Sequence, residues 1–348
     1  MSETERPRYA PEWLALRESA DAAARAPQLL DALREHAAGA ADGARAKAAD
    51  GTRASAAGGT RASGSGEGYD LAGPGERSES SGPSEGFGSA GPGEGSDSAG
   101  SGAHSASAQW VVRDLGCGTG SMGRWLAPRL PGAQHWILHD HDPALLTLAA
   151  AQLPRTAADG SPVTVATETG DVARLDAERL TGTSLVTASA LLDLLTYDEL
   201  DALAAACAGA GCPALLALSV VGRVELTPAD PLDAEIAEAF NDHQRRVEHG
   251  RRLLGPDAVD AASEVFARHG MTVRVAAAPW RLGPAESALT AEWLRGWVAA
   301  ACEQRPELAA RADRYLQSRL AACAAGELRA AVHHSDVLAL PGPTGGAS

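Results

Sequence analysis

The run VVRDLGCGTGSMGRW, residues 111–125, ends an apolar stretch in an aspartate and then sets four glycines within eight positions. An apolar run bounded by glycine reads as a buried strand. Glycines crowded behind it permit positive φ and let backbone approach a ligand closely, which a residue with a Cβ resists. A strand that turns through such a loop into a helix, here SMGRWLAPRL, opens a βαβ unit. That commits the following chain to a mostly parallel sheet.

Alternation follows as required. HWILHD (135–140) reads as the second strand, and PALLTLAAAQL (143–153) as a helix with proline at its first position. VTVATE (163–168), SLVTASAL (184–191) and PALLALSVVG (213–222) supply strands three to five. YDELDALAAACAGAG (197–211) is a helix preceded by Thr196, with Glu199 at capping-box spacing. DAVDAASEVFARHG (257–270) is an amphipathic helix ending in glycine, and MTVRVAAA (271–278) and SDVLALP (335–341) read as the last two strands. Residues 224–256 and 283–330 are expected to add helices at or beside the carboxyl edge of the sheet, where ligands bind in open α/β folds. Upstream, residues 12–36 read as one or two helices that pack on the domain.

The glycines admit two registers. Gly118, Gly120 and Gly123 spell the G-x-G-x-x-G of a dinucleotide site, whereas Asp114, Gly116, Gly118 and Gly120 spell a D-x-G-x-G-x-G turn. Charge separates them. A dinucleotide brings a pyrophosphate, which a carboxylate at the strand tip repels. S-adenosylmethionine (SAM) brings an α-ammonium and a sulfonium, which Asp114 attracts. Asp140 ends the second strand 20 residues after Gly120, where a carboxylate hydrogen-bonds ribose hydroxyls in either kind of site. Asp171, in TGDVARL, follows the third strand, where an acceptor can take an adenine amino group.

The ordered series VVRDLGCGTG, ILHDHDP, TGDVARL and LVTASALLDLLT resembles the four motifs of class I SAM-dependent methyltransferases over roughly residues 108–222, with later strands in the expected order. The resemblance implies a Rossmann-like α/β fold: a seven-stranded, mostly parallel sheet with helices on both faces, its last strand antiparallel between strands five and six. It implies SAM as cofactor. Asp114, Gly116, Cys117, Gly118 and Gly120 then line the methionine side, Asp140 and His141 the ribose, Asp171 and Val172 the adenine, and Ser189 lies near the transferred methyl. The TPADPLD…FNDHQR segment resembles that of uncharacterised bacterial members, which names no substrate.

Composition bounds the rest. The segment 39–108 is Gly, Ser, Ala and Glu with scattered prolines, too poor in apolar surface to offset its ordering entropy, and reads as a disordered insert. The expected organisation is N-terminal helices at 1–38, that insert, a methyltransferase domain at 109–341 and a flexible tail at 342–348. The formal charge of −15 disfavours nucleic acid, which asks for basic stripes. Five cysteines without a C-x-x-C pair, and no apolar leader or membrane-length stretch, suit a reducing cytoplasm. The expected activity is methyl transfer (EC 2.1.1.-) to a small or medium-sized acceptor. The alternatives are an RNA or protein methyltransferase and a SAM-binding protein without transfer activity.

Candidates for acceptor chemistry are fewer. Asp193, after strand four, is placed to face an acceptor, though a loop carboxylate or helix cap would look the same. No N-P-P-[YF] tetrad stands there, which weakens an amide or base acceptor. In FNDHQRR, Asn241 and His243 are candidates for acceptor recognition, with His243 also a candidate catalyst. Arg17, Asp21 and Arg25 recur at spacings of four, as in an ion-pair ladder, on a helix that could also lid the cofactor. His139 and His141 flank Asp140, but strand alternation would turn the histidines to one face and the aspartate to the other, so no metal is expected. Leu289, Trp293, Trp297 and Ala300 form a stripe that reads first as core.

Overall fold

The computed structural model describes residues 10–39, 109–172 and 176–342. The expected insert at 39–108 thus lies, but for residue 39, outside the described residues, as do the tail from 343 and residues 173–175.

Two helices come first, α1 (Pro11–Ala24) and α2 (28–39). Pro11 sits in the first turn of α1, where a missing N–H costs nothing. Pro27 helps end α1, because the residue before a proline is pushed out of helical conformation, and Arg25 is already extended with ψ 140°. The domain then runs β1 (Trp110–Leu115), α3 (Ser121–Leu126), β2 (Gln134–Asp140), α4 (Pro143–Gln152), β3 (Val163–Thr169) and β4 (Leu185–Ser189). It continues with α5 (Tyr197–Ala210), β5 (Ala214–Thr227), α6 (Asp233–Gln244) and a short hairpin of β6 (Val247–Glu248) and β7 (Arg251–Arg252). The last elements are α7 (Ala258–Arg268), β8 (Thr272–Ala277), β9 (Trp280–Leu282), α8 (Ser287–Gln304), α9 (Ala309–Ala324) and β10 (Arg329–Leu340).

The main sheet has the order β3-β2-β1-β4-β5-β10-β8, with β9 also paired to β10. Strands β1 to β5 are parallel, and β10 enters antiparallel between β5 and β8. This is the Rossmann-like order expected from the motifs, with the antiparallel strand in the expected slot. The helix starts obey local chemistry. Asp142 accepts from Ala144 N at 2.8 Å ahead of Pro143, and Thr196 and Glu199 cap α5 reciprocally.

Two strands exceed their sequence signals. β5 runs on to Thr227 past Gly222, and β10 begins at Arg329 rather than near 335. The extensions pair with each other, Ala330 opposite Leu226 and Val332 opposite Val224, so neither is written in local composition. The helical insertion expected from residue 224 accordingly begins only at Asp233.

Three apolar clusters hold the unit together. One face of the sheet packs Trp136, Leu138 and Val112 under α2, α3 and α4. The other packs Val186, Leu216 and Val337 under α5 and α7. The third, built from α6, α8 and α9 with the extended parts of β5 and β10 and with β9, caps the carboxyl end of the sheet. Trp136 and Phe266 are fully buried, each contributing about 1.5–3 kcal/mol by leaving water. Among the described residues no helix is long and apolar enough to cross a membrane.

Candidate functional site

The carboxyl ends of β1, β2, β4 and β5 open on one cavity of about 310 Å³, at the lower end of the range for ligand pockets, ~300–1,000 Å³. Its floor is the glycine turn. Gly116 and Gly118 have φ of 58° and 55°, and a Cβ on Gly118 would stand 3.2 Å from Leu14 Cδ1 in α1. Side chains are therefore excluded both by conformation and by the helix above. Gly120 is also left-handed, at φ 85°, but it faces Ala149 of α4 and does not line the cavity. A Cβ on Gly123 would stand 2.5 Å from Leu153 Cδ1, so that glycine serves packing of α3 on α4.

Asp114, at the tip of β1, has no exposed surface. Thr187 Oγ1 donates to its Oδ1 at 2.7 Å, while Oδ2 has no hydrogen-bond partner. Burial raises its pKa to about 7, against the Thr187 hydrogen bond and the charge of Arg25, which lower it. Asp140 ends β2 with both oxygens engaged: Oδ2 accepts from Gly118 N at 2.9 Å and Oδ1 from Asp142 N at 3.0 Å. His141 Nδ1 stands 3.3 Å from Oδ1. β2 stops at Asp140, so His141 leaves the strand, and the expected sharing of a face with buried His139 does not arise. Among the described residues no three potential metal ligands come together.

Two non-glycine residues at the cavity carry positive φ, Ala190 at 52° and Leu218 at 57°. Such backbone costs roughly 1–3 kcal/mol per residue and has to be held. Ala190 N donates to Ala217 O at 2.9 Å, and Leu218 N donates to Asp336 Oδ1 at 2.7 Å. The other oxygen of Asp336 accepts from Ala26 N at 2.8 Å, so one buried carboxylate of β10 ties β5 to the link between α1 and α2.

α1 forms the roof. Trp13, Leu14, Arg17 and Asp21 line the cavity from above. Arg124 of α3 grips Glu18 through two hydrogen bonds of 2.6 Å, and Asp21 accepts from Trp280 Nε1 at 2.9 Å. The expected ladder is only half present. Arg17 pairs with Asp21 at 2.9 Å, but Arg25 lies outside α1 and reaches across the sheet end to Ser121 Oγ at 3.0 Å and Ser189 Oγ at 3.1 Å. Burial lowers the pKa of that guanidinium, opposed by the charges of Asp21, Asp336 and Asp114.

Beyond the glycine turn the cavity widens into an aromatic chamber. Four of the chain's seven tryptophans, Trp13, Trp280, Trp293 and Trp297, line it together with Phe240. Trp293 and Trp297 stack at 5.1 Å and 18°. The α8 stripe is thus core and cavity wall at once: Leu289 and Trp297 are buried, and both tryptophans reach the chamber. Asp193 faces the same space. Burial raises its pKa, opposed by its own backbone N–H and by Arg17 and Arg246.

Of the residues singled out in the sequence, Asp114, Gly116, Cys117, Gly118, Asp140, His141, Asp171, Val172 and Ser189 line the cavity, as do Asp193, Asn241 and Arg17. His243 does not. Its Nε2 stands 3.4 Å from Glu303, on the side of α6 that faces α8. Cys117 is buried, and burial pushes its thiol well up. Residues missed by sequence reasoning are Trp13, Trp280 and His334 of the cavity wall, at which only the aromatic identities hinted, and the buried Asp336 behind it, at which nothing did.

Residues 112–213 match the family model of a methyltransferase domain. No curated protein matches the chain. Among solved structures, one described for conversion of a disulfide bond into a thioacetal group during echinomycin biosynthesis is 19% identical, with a TM-score of 0.37, covering 69% of this chain and 78% of the other. The cyclopropane synthase MmaA2 from Mycobacterium tuberculosis is 13% identical with a TM-score of 0.35, covering 66% and 78%. The magnesium protoporphyrin IX methyltransferase from Synechocystis PCC 6803, with bound S-adenosylhomocysteine (SAH), is 17% identical with a TM-score of 0.32, covering 49% and 68%.

Proposed function

We propose that the chain is a SAM-dependent methyltransferase whose small acceptor is enclosed beneath α1, α6 and α8. The observation that carries this reading is the unpartnered oxygen of Asp114, buried at the end of β1 beside a glycine turn. A buried carboxyl left half satisfied is costly. A cationic ligand completes it, and a pyrophosphate would be repelled by it. The residues therefore fit SAM and do not fit a dinucleotide.

Bound in this cavity, SAM supplies a methyl carbon already activated for in-line displacement by its sulfonium. The chain supplies the rest. Asp114 provides negative charge, Gly116 and Gly118 provide clearance, and Asp140 offers its carboxylate to the ribose hydroxyls. Asp171 and Val172 border the adenine, and Ser189, fixed by Arg25, flanks the methionine end. Trp13 and Leu14 exclude water from above. Most of the acceleration is holding the acceptor in line, for which effective molarities of order 10⁵ M and above are attainable. Asp193 is the carboxylate that takes a proton if the acceptor carries one. The acidic balance and the roofed cavity favour a metabolite over RNA, and the five free thiols suit a reducing cytoplasm.

The test is thermal stabilisation of the purified chain by SAM, SAH and NAD separately. A ligand that binds only the native state raises the melting temperature by mass action. SAM and SAH are expected to stabilise and NAD is not; the reverse order would overturn the reading.

A further inference from the structure

The charges around the aromatic chamber cancel in pairs. Arg17 is bound to Asp21, Arg251 to Glu199 at 2.6 Å, and Arg246 stands 3.5 Å from Glu248. Arg223, at the mouth, is bound to Glu225. His334, which shares the chamber wall, is kept neutral by burial, its pKa lowered to about 3. Each of these four arginines already holds a carboxylate, so none offers an uncommitted guanidinium to a phosphate or carboxylate on the acceptor. An anionic acceptor would lose its hydration without replacement.

Some of the aromatic faces are committed as well. The Arg17 guanidinium lies 5.2 Å from the Trp280 ring centroid, and His334 packs against the same indole at 5.1 Å. Trp293 and Trp297 stack on each other. A cage for an alkylammonium needs open π faces directed at one point, and of these rings Trp280 already holds Arg17 and His334 while Trp293 and Trp297 cover one face of each other. The tryptophans instead present a rigid apolar slot. Polar atoms of the cavity wall without a hydrogen-bond partner include the indole N–H of Trp297, which is 2% exposed, Oε1 of Gln244, and ring nitrogens of His333 and His334, and the carboxyl of Asp193 faces the same space.

We infer that the acceptor is an uncharged, flat aromatic compound carrying a hydroxyl group, its ring held by Trp280, Trp293 and Phe240 and its O–H directed at Asp193. The inference rests on the methyltransferase reading and adds the acceptor class to it. In the reaction the acceptor O–H bond breaks as its proton passes to the Asp193 carboxylate. The oxygen lone pair forms the new O–CH₃ bond, and the S–CH₃ bond breaks with its electron pair returning to sulfur, giving SAH. Asp193 then releases the proton to solvent.

Binding can be read without turnover, because four tryptophans report on the chamber. The probes are 2-naphthol, naphthalene, 2-naphthoate and 2-naphthylmethylammonium, titrated against the protein at saturating SAH, with tryptophan fluorescence followed. 2-Naphthol is expected to bind at least tenfold tighter than the two charged probes and several-fold tighter than naphthalene. Asp193→Asn is expected to remove most of the advantage over naphthalene, and Trp293→Leu to weaken both neutral probes while SAH affinity stays unchanged. Tightest binding by the ammonium would overturn the inference in favour of a cation site, and tightest binding by the naphthoate in favour of an anion site. If SAH binds and none of the four probes does, the acceptor class is wrong while the methyltransferase reading stands. If SAH itself does not bind, that reading falls first.

Discussion

The hydroxyl of Thr187 donates to one oxygen of Asp114 at 2.7 Å and leaves the other oxygen of that buried carboxyl without a partner. The pair couples β4 to the tip of β1 and leaves a half-satisfied buried carboxyl in the wall of the cavity.

The pH dependence of binding follows. With a pKa of about 7, Asp114 is largely protonated at pH 6 and ionised at pH 8. SAM affinity is expected to rise as the pH passes upward through 7 and then to level off, and binding near pH 6.5 should release a proton. Calorimetry in buffers of different ionisation enthalpy measures both. A flat profile from pH 6 to 8 would remove Asp114 from the counter-ion role.

Asp114→Asn separates binding from stability. The native pKa stands above the unfolded value of 3.8, so the folded state holds its proton longer. Stability from this group therefore falls as the pH rises from about 4 to 7 and stays low above that. The amide keeps the Thr187 hydrogen bond without the buried charge. At pH 8 the variant is expected to be more stable, by on the order of 4 kcal/mol as an upper figure, and to bind SAM at least tenfold more weakly. Chemical denaturation and titration calorimetry read the two effects independently.

The two glycine registers share Gly118 and part at Gly123. Gly118→Ala puts a Cβ at φ 55° and 3.2 Å from Leu14, so cofactor affinity should fall with a stability loss of roughly 1–2 kcal/mol. Gly123→Ala drives a Cβ to 2.5 Å from Leu153 and should cost stability by overpacking, about 1–3 kcal/mol, with SAH affinity preserved in the folded fraction. Equal loss of affinity in both variants would contradict the assignment.

The roof is testable through Glu18. Its bidentate grip on Arg124 is partly solvated, with side-chain exposures of 31% and 19%, so Glu18→Ala should cost no more than about 1 kcal/mol of stability. Loosening α1 should instead speed SAH dissociation several-fold in stopped-flow fluorescence. An unchanged dissociation rate would mean that ligand leaves by the Arg223 side and α1 is a fixed wall.

His243→Ala is expected to leave both SAH and 2-naphthol affinity unchanged, because His243 faces Glu303 and not the cavity. Asn241 lines the cavity and donates to Gly222 O at 2.8 Å. Asn241→Ala should therefore weaken acceptor binding where His243→Ala does not, in the same fluorescence titration.

The end of the cavity around the glycine turn was legible because its residues are local. Asp114 to Gly118 form one turn, and Asp140 and Asp171 are placed by the ends of two consecutive strands, so periodicity and spacing suffice. The aromatic end was not legible. Trp13, Phe240, Trp280 and Trp293 come from four separated segments, and Asp336 reaches Ala26 across 310 positions. Helical periodicity grouped Trp293 with Trp297 correctly but could not say that their stripe borders a void. It also put His243 and Asn241 in one candidate group, though they point to different neighbours on α6. The overlong β5 and β10 were missed for a related reason: each extension exists only because the other pairs with it.

The slot occupied by β10 has a consequence for biogenesis. β10 lies between β5 and β8 and delivers the carboxyl that fastens Ala26 and Leu218. On the ribosome, until residue 340 has left the exit tunnel, β5 and β8 each present an unpaired side and α1 has no anchor from β10. From the emergence of β8 until that of β10 the nascent chain thus carries two open sheet edges and an unfinished cavity, the interval in which wrong strand pairing competes with folding.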